Sequence, residues 1–428
     1  MQTTALCLLL LASTLRLSAQ APVTAIKAAR LFDGKSDRLI EPGLVVIAGG
    51  RIQSVGGSAP AGAKVIDLGD ATLLPGFIDA HTHLTMDFDL DYNAARLKAL
   101  DRTTAESAIH ATVNARKTLM AGFTTVRDLG SEDFIDVGLR NSINAGVVPG
   151  PRMLVSVHAL GGTGGHCDSG AGFKFGLLSH EMGPEDGVIN SADQARFAVR
   201  WNIKYGADVI KTCATGGVLS PTDDVDVPQL SEGELVALVT AAHELRRKTA
   251  AHAHGAEGAK RAIRAGIDSI EHGTFLDDEA LRLMREKGTY LVPTLSVRSG
   301  IAEAKFPPLV RAKADMAMKA QDSLVRRALD MGVKIALGTD AAVYPHGDNA
   351  LEFVLMNADG MPPAQALRAG TSVAAELLGL ADKIGTLEAG KLADMVAVPG
   401  NPFDDIKVTQ SVFFVMKDGA IYRNDRAK

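Results

Sequence analysis

Two histidines one residue apart, His81 and His83, close the apolar run Leu-Leu-Pro-Gly-Phe-Ile-Asp-Ala-His-Thr-His of residues 73–83. On a β-strand, residues i and i+2 face the same side. Both imidazoles can therefore reach one metal ion, and imidazole is a good ligand for zinc and its neighbours. Alone, such a pair is as readily two core or surface histidines. Further apolar runs end in the same way. Asp208–Gly217 carries Lys211 inside a strand-like stretch, Thr249–Gly255 carries His252 and His254, Ser269–Gly273 carries His272, and Lys334–Ala341 carries Asp340. Each of these taken singly reads as a satisfied core residue or a helix cap. Their joint placement at the ends of apolar runs makes that reading a poor account of the set.

Lys211 needs a separate argument. An ammonium has no lone pair and repels cations, so an unmodified lysine is a poor metal ligand. Burial lowers its pKa and frees a nucleophilic amine. That amine can capture carbon dioxide as a carbamate, an anionic two-oxygen ligand, or it can form a Schiff base with a carbonyl substrate. The neighbouring histidine pairs favour the first.

The elements that carry these residues alternate. Eight strand candidates are Leu73–His83, Thr124–Asp128, Arg152–Val157, Asp208–Ala214, Thr249–His254, Ser269–Gly273, Tyr290–Leu295 and Lys334–Asp340. Helical patterns such as Gly258–Gly266 and Asp277–Glu286 lie between them. Strands alternating with helices point to an α/β chain with a parallel sheet, and eight units over this length fit a (β/α)8 TIM barrel, whose chemistry lies at the C-terminal strand ends. Short alternating strands in residues 20–72, among them Leu44–Ala48 and Arg51–Val55, are expected to join strands of residues 381–428 in a small β-sandwich. The barrel is expected over residues 73–380.

In this order the motifs PGFIDAHTH, VIKTCATGG, AHAHG, SIEHG and GTDA resemble those of the amidohydrolase superfamily of metal-dependent hydrolases. The stretch Gly385–Val398 resembles the family's return into its small β domain, so the likeness covers nearly all of the chain after residue 22. The subgroup it resembles includes members that cleave dipeptides such as Xaa-Pro or Xaa-Arg, or related N-acyl amino acids, and some that hydrolyse the amide of ochratoxin A. The resemblance implies a binuclear site with two divalent ions, zinc above all. His81 and His83 would hold the more buried ion, Lys211 as carbamate would bridge, and His252 and His272 would hold the second ion. Asp340 would contact the first ion, orient the attacking water, take its proton and pass it to the leaving amine. His254 would contact substrate, with the exchange of roles between His252 and His254 left open. The resemblance also implies a homo-oligomer, an octamer in particular. Two other classes stay open: a Schiff-base lyase built on Lys211, and a non-catalytic binding protein on the same scaffold.

Substrate contacts are expected from loops. Gly161-Gly-Thr-Gly-Gly-His166 lacks the ending of a phosphate loop and opens a long segment, 158–190, that brings His166 to the pocket. Tyr344 and His346 follow Asp340 and are expected to line the same mouth. The loop Val218–Leu230 carries Asp223, Asp224 and Asp226, either as a solvated cluster or as an attractor of a cationic substrate end.

Composition bounds the partners. The 428 residues carry 45 Lys+Arg against 50 Asp+Glu, a net charge of −5, with no basic tract to recommend a nucleic-acid partner. Hydrophobic content of 46% suffices for a large core. Residues 1–19 read as a secretory signal, with the apolar run Ala5–Ser13 and a cleavage site at Leu17-Ser-Ala19, although Met1-Gln-Thr-Thr has no positive charge. The expectation is an exported, periplasmic protein that acts on a small-molecule amide or dipeptide, with no membrane association in its mature form. Removal of the signal takes Cys7, and the remaining Cys167 and Cys213 are expected to be free thiols.

Overall fold

The structure is a computed structural model and describes residues 22–426. The expected signal sequence lies outside the described residues. Among the described residues there are sixteen strands, those from β7 to β13 separated by helices: β1 (Thr24–Ala28), β2 (Arg30–Leu31), β3 (Gly43–Ala48), β4 (Arg51–Val55), β5 (Lys64–Asp67), β6 (Ala71–Pro75), β7 (Phe77–Thr82), β8 (Phe123–Asp128), β9 (Arg152–Val155), β10 (Val209–Cys213), β11 (Lys248–Gly255), β12 (Ser269–Phe275), β13 (Tyr290–Val292), β14 (Met395–Pro399), β15 (Phe414–Lys417) and β16 (Ala420–Asn424).

The two ends of the chain build two sheets, ordered β4-β3-β1-β5 and β16-β15-β14-β6-β2. They share one core that includes Ile26, Leu31, Val45, Ile47, Leu73, Met395, Phe414 and Met416. The run 73–83 is not one strand. Its first part is β6, which pairs antiparallel with β14, and only β7 belongs to the central sheets. The break falls at Gly76, where a Cβ would lie 2.2 Å from the Thr124 hydroxyl. Pro75, without an N–H to offer a ladder, ends the first strand. The chain thus passes from one sheet to the other at Gly76.

The central strands form two parallel sheets, β7-β8-β9 and β10-β11-β12-β13. Backbone hydrogen bonds join them on one side, where Leu160 N–H donates to Lys211 O at 2.9 Å and Cys213 N–H to Leu160 O at 2.8 Å. On the other side Lys334–Ala341 runs between β13 and β7. Ala336 N–H donates to Leu291 O, Ala80 N–H to Leu337 O and Asp340 N–H to His81 O, at 2.8–2.9 Å. Helices lie between successive strands and shield the sheets. Ala256–Ala265 and Asp278–Lys287 match the expected patterns, the second capped by the Asp277 carboxylate, which accepts from Ala280 N–H. Both end at a left-handed glycine, Gly266 and Gly288. Parallel strands covered by helices on their outer faces direct their C-terminal ends, and the side chains there, to one place.

Candidate active site

That place is a cavity of about 400 Å³ lined by His81, His83, Lys211, His252, His254, His272 and Asp340. Every one of these but His83 and Asp340 is at most 6% exposed. The strand alternation brings His81 and His83 to one side, with ring centroids 5.3 Å apart. Asp340 faces both: its Oδ1 is 3.2 Å from His83 Nε2 and 3.5 Å from His81 Nε2. His252, His254 and His272 form a second cluster, with centroids 4.6–5.0 Å apart. Two sets of ligand atoms lie within 4.8 Å of one another, His81–His272–Asp340 and His252–His254–His272.

Two positions here depart from ordinary backbone. His272 (φ 70°) and Asp340 (φ 59°) are left-handed without being glycine. Such conformations persist only where surrounding structure enforces them, and they gather at functional sites. Gly338 marks a close approach, since a Cβ there would meet the His81 Cβ at 2.9 Å and Val292 at 2.3 Å.

Hydrogen-bond partners decide which ring nitrogen of each histidine is free. His83 Nδ1 meets Gly130 O at 3.2 Å, and His81 Nδ1 meets the Glu271 carboxylate at 2.8 Å. A carbonyl and an ionised carboxylate only accept, so both rings carry a proton on Nδ1 and turn Nε2 toward Asp340 and the cavity. His252 is reversed: Nε2 donates to Gly216 O at 3.1 Å, leaving Nδ1 free. His254 and His272 each meet a hydroxyl through Nδ1, Thr274 and Thr294 respectively, at 2.7 Å.

The electrostatics favour neutral imidazoles at His81, His252, His254 and His272, whereas at His83 burial is outweighed by the hydrogen bond and charge of Asp340, which raise its pKa. Burial is the first cause in each case; it pushes His81 to about 4 and His254 to about 3, and holds His252 and His272 well below the usual histidine value. Lys211 is brought down to about 8, chiefly by burial, against the raising influence of Glu271 and Asp340. Burial would raise the Asp340 carboxyl, but the charges of His81 and His83 outweigh it and hold it well below the carboxylate range. Neutral imidazole lone pairs, an ionised carboxylate and an amine poised to lose its proton, all converging in one buried cavity, form a donor set that fits divalent cations.

The loop residues divide. His166 lines the cavity, with its ring centroid 4.1 Å from that of His252 and its Nδ1 3.1 Å from the Ser220 hydroxyl. Gly217 permits this, because a Cβ there would lie 2.1 Å from the His166 ring. Tyr344 does not line the mouth as expected. It is fully buried, and Ala342 and Val343 face the cavity in its stead. His346 is likewise turned away and meets Met86 O at 2.8 Å. Asp223 is neither solvated nor open to a substrate cation, because Lys313 pairs with it at 3.1 Å. Cys167 and Cys213 are not free thiols. They are bonded to each other, with Cα atoms 5.8 Å apart, and both sulfur-bearing residues line the cavity. The strand end and the long loop bring the two Cβ atoms together, which sequence separation hid.

Two functional carboxylates escaped the sequence reading. Glu271 is fully buried and reaches His81 although it is adjacent to His272. Strict alternation would put residues 271 and 272 on opposite faces; the left-handed turn at His272 lets both reach the same centre. Asp79, inside the motif with His81, accepts from His81 N–H, Thr339 N–H, Thr339 Oγ1 and Asn349 Nδ2. It ties the His81 strand to the Asp340 segment. The apolar run around it was its only signal.

Comparison with known proteins agrees with this geometry. The sequence profile of the amidohydrolase family matches residues 72–423. Ochratoxinase from Aspergillus niger is 34% identical over 439 aligned residues, covering 94% of this chain and 87% of that protein. A solved Xaa-Pro dipeptidase with methionine bound in its active site superposes with a TM-score of 0.89 at 42% identity, over 94% of this chain and 100% of that one. A prolidase complexed with N-methylphosphonate-L-proline matches with a TM-score of 0.84 at 32% identity, over 94% of this chain and 100% of that one.

Proposed function

This chain belongs to the amidohydrolase family, and on that premise we propose that it is a binuclear metal-dependent hydrolase of dipeptides or N-acyl amino acids. It is a hydrolase of amide bonds, related to ochratoxinase and to prolidase-like dipeptidases. The observation that carries the finer reading is the convergence of His81, His83, Lys211, His252, His272 and Asp340 on one buried cavity. In this reading His81 and His83 would hold one divalent ion and His252 and His272 another, and Lys211 would serve as a shared ligand once its neutral amine had added carbon dioxide and lost one proton. When bound, two such ions, zinc in this reading, supply Lewis acidity to the scissile carbonyl and to the attacking water.

The chain's own residues supply the rest. Asp340 stays ionised at neutral pH, faces the site through its Oδ1, and can accept the water's proton. It then returns that proton to the leaving nitrogen, which departs as a neutral amine. His254 keeps Nε2 directed away from Thr274 and, with His166, contacts the substrate. Apolar walls from Met86, Val218, Leu219, Val297, Ile301 and Met318 exclude water and accept an apolar side chain.

The parallel sheets, joined on both sides by backbone hydrogen bonds, support a (β/α)8 barrel with a β-sandwich made from both chain ends. Export, periplasmic in this reading, is supported by the Cys167–Cys213 bond, since such bonds persist in oxidising compartments. Among the described residues no helix is long and apolar enough to cross a membrane. A homo-oligomer, octameric in this reading, is supported by apolar side chains left exposed on two helices: Leu97 and Leu100 on Tyr92–Asp101, and Ile109 and Val113 on Thr104–Met120.

The test is a screen of Xaa-Pro and Xaa-Arg dipeptides, N-acyl amino acids and ochratoxin A against zinc-loaded enzyme. Turnover that is confined to amides and abolished by chelation supports the reading. A borohydride-trapped adduct on Lys211, with activity insensitive to chelators, overturns it.

A further inference from the structure

Beneath the cavity lies a closed cluster that the reaction does not use directly. Glu271 and Arg127 are almost wholly removed from solvent, at 0% and 1% exposed. Arg127 Nη2 donates to Glu271 Oε1 at 2.9 Å, its Nη1 to the Ser269 hydroxyl at 3.1 Å, and its Nε to Ala80 O at 2.6 Å. Ser269 Oγ donates to the same Glu271 oxygen at 2.5 Å. The other oxygen, Oε2, is left for His81 Nδ1 at 2.8 Å.

A buried ion pair that only filled space would close on itself. This one spends a carboxylate oxygen on a ring whose other nitrogen faces the site. Paired with the Arg127 guanidinium through one oxygen, the carboxylate accepts from His81 Nδ1 through the other and admits one tautomer of that ring. No other candidate ligand has such support: His83 is backed by a carbonyl and His272 by a hydroxyl.

We propose that Glu271, clamped by Arg127 and Ser269, is a positioning residue that fixes His81 with its Nε2 lone pair toward the cavity and strengthens it as a ligand. This rests on the metal reading given above. A carboxylate behind a ligand histidine fixes the ring and raises its basicity, and its loss typically costs about 10–100-fold in metal affinity or activity. Arg127 has a second task through Ala80 O: it ties the same carboxylate to the backbone of the His81 strand, so ring and strand move together.

The experiment measures bound zinc per chain at a series of buffered free-zinc concentrations, on the full-length protein. Glu271→Gln removes the charge and keeps the shape. The expected result is that one of two binding midpoints moves to higher free zinc by about 10–100-fold, and the other stays within about threefold. Two unchanged midpoints in a folded Glu271→Gln protein overturn the proposal. So does an equal shift of both, which marks general loosening of the fold. Should Glu271→Gln fail to fold, Glu271→Asp keeps the charge opposite Arg127 and shortens the reach to His81; it is judged by the same single-midpoint criterion. Wild-type protein that takes up no zinc at any concentration removes the metal reading itself, and this inference with it, a result distinct from any shift between variants.

Discussion

At the scale of single residues, the two assignments that bear most weight are Asp340 and Lys211. Asp340→Asn keeps the size and one oxygen and loses the basic carboxylate. General-base assistance is worth roughly 10²–10⁴-fold, so kcat is expected to fall by at least about 10³-fold with KM changed much less and both metals retained. Steady-state kinetics with metal analysis check this; a fall under about tenfold in kcat removes the general-base role. Lys211→Ala should lose metal and activity together, and a short-chain carboxylic acid should partly restore both by standing in for the carbamate. Normal turnover with two metals in that variant refutes the carbamate. Residue types and spacing made the histidines and Asp340 legible, because strand ends and inward faces follow from period-2 alternation. Glu271 was not legible, because its access to His81 depends on a left-handed backbone at His272. Tyr344 was misjudged for a similar reason: the segment after Asp340 turns, with Asp340 at φ 59° and Ala342 at φ 125°, and buries the phenol.

At the scale of elements, the parallel strands were readable as apolar runs, but the junction at Gly76 was not. Leu73–Ile78 is apolar throughout, so nothing in hydropathy separates β6 from β7. Steric fit against Thr124 makes that separation. The long loop over 158–190 was recognised, yet its anchor was missed. Cys167 and Cys213 close a loop of sequence separation 46, which in a chain-entropy account contributes about 4 kcal/mol. The bond also pins the residue beside His166, whose ring faces His252. Cys213→Ser should therefore lower the thermal unfolding midpoint and raise KM more than it lowers kcat. Calorimetry and kinetics on the variant check both; a KM equal to that of the parent would show that His166 needs no such anchor.

For the whole molecule, the buried titratable groups set a pH dependence. His81, His166 and His346 are held at about 4 and His254 at about 3, chiefly by burial, with His252 and His272 also lowered. Unfolded, these rings take protons near 6.5. Between about 6.5 and 4 the unfolded chain binds more protons than the folded one, so their contribution to stability is lost as pH falls. Burial raises Asp79 to about 6, and Asp128 and Glu352 to about 7, which acts in the opposite sense across that window. Rises at Glu132, Asp136, Asp359, Asp394 and His83 act in the same sense as those carboxyls, but values or marked shifts attach to six imidazoles against three carboxyls, so the metal-free protein should unfold at lower temperature at pH 5 than at pH 7. A melting curve that is level or rises toward pH 5 contradicts this balance.

The same imidazoles, neutral at pH 7, are what the central claim requires, and one titration addresses it. Metal is stripped by chelation, zinc is returned in measured equivalents with bicarbonate present, and amide turnover is followed together with bound metal. Activity should reach its plateau at two zinc ions per chain. Full activity with one ion or none contradicts it.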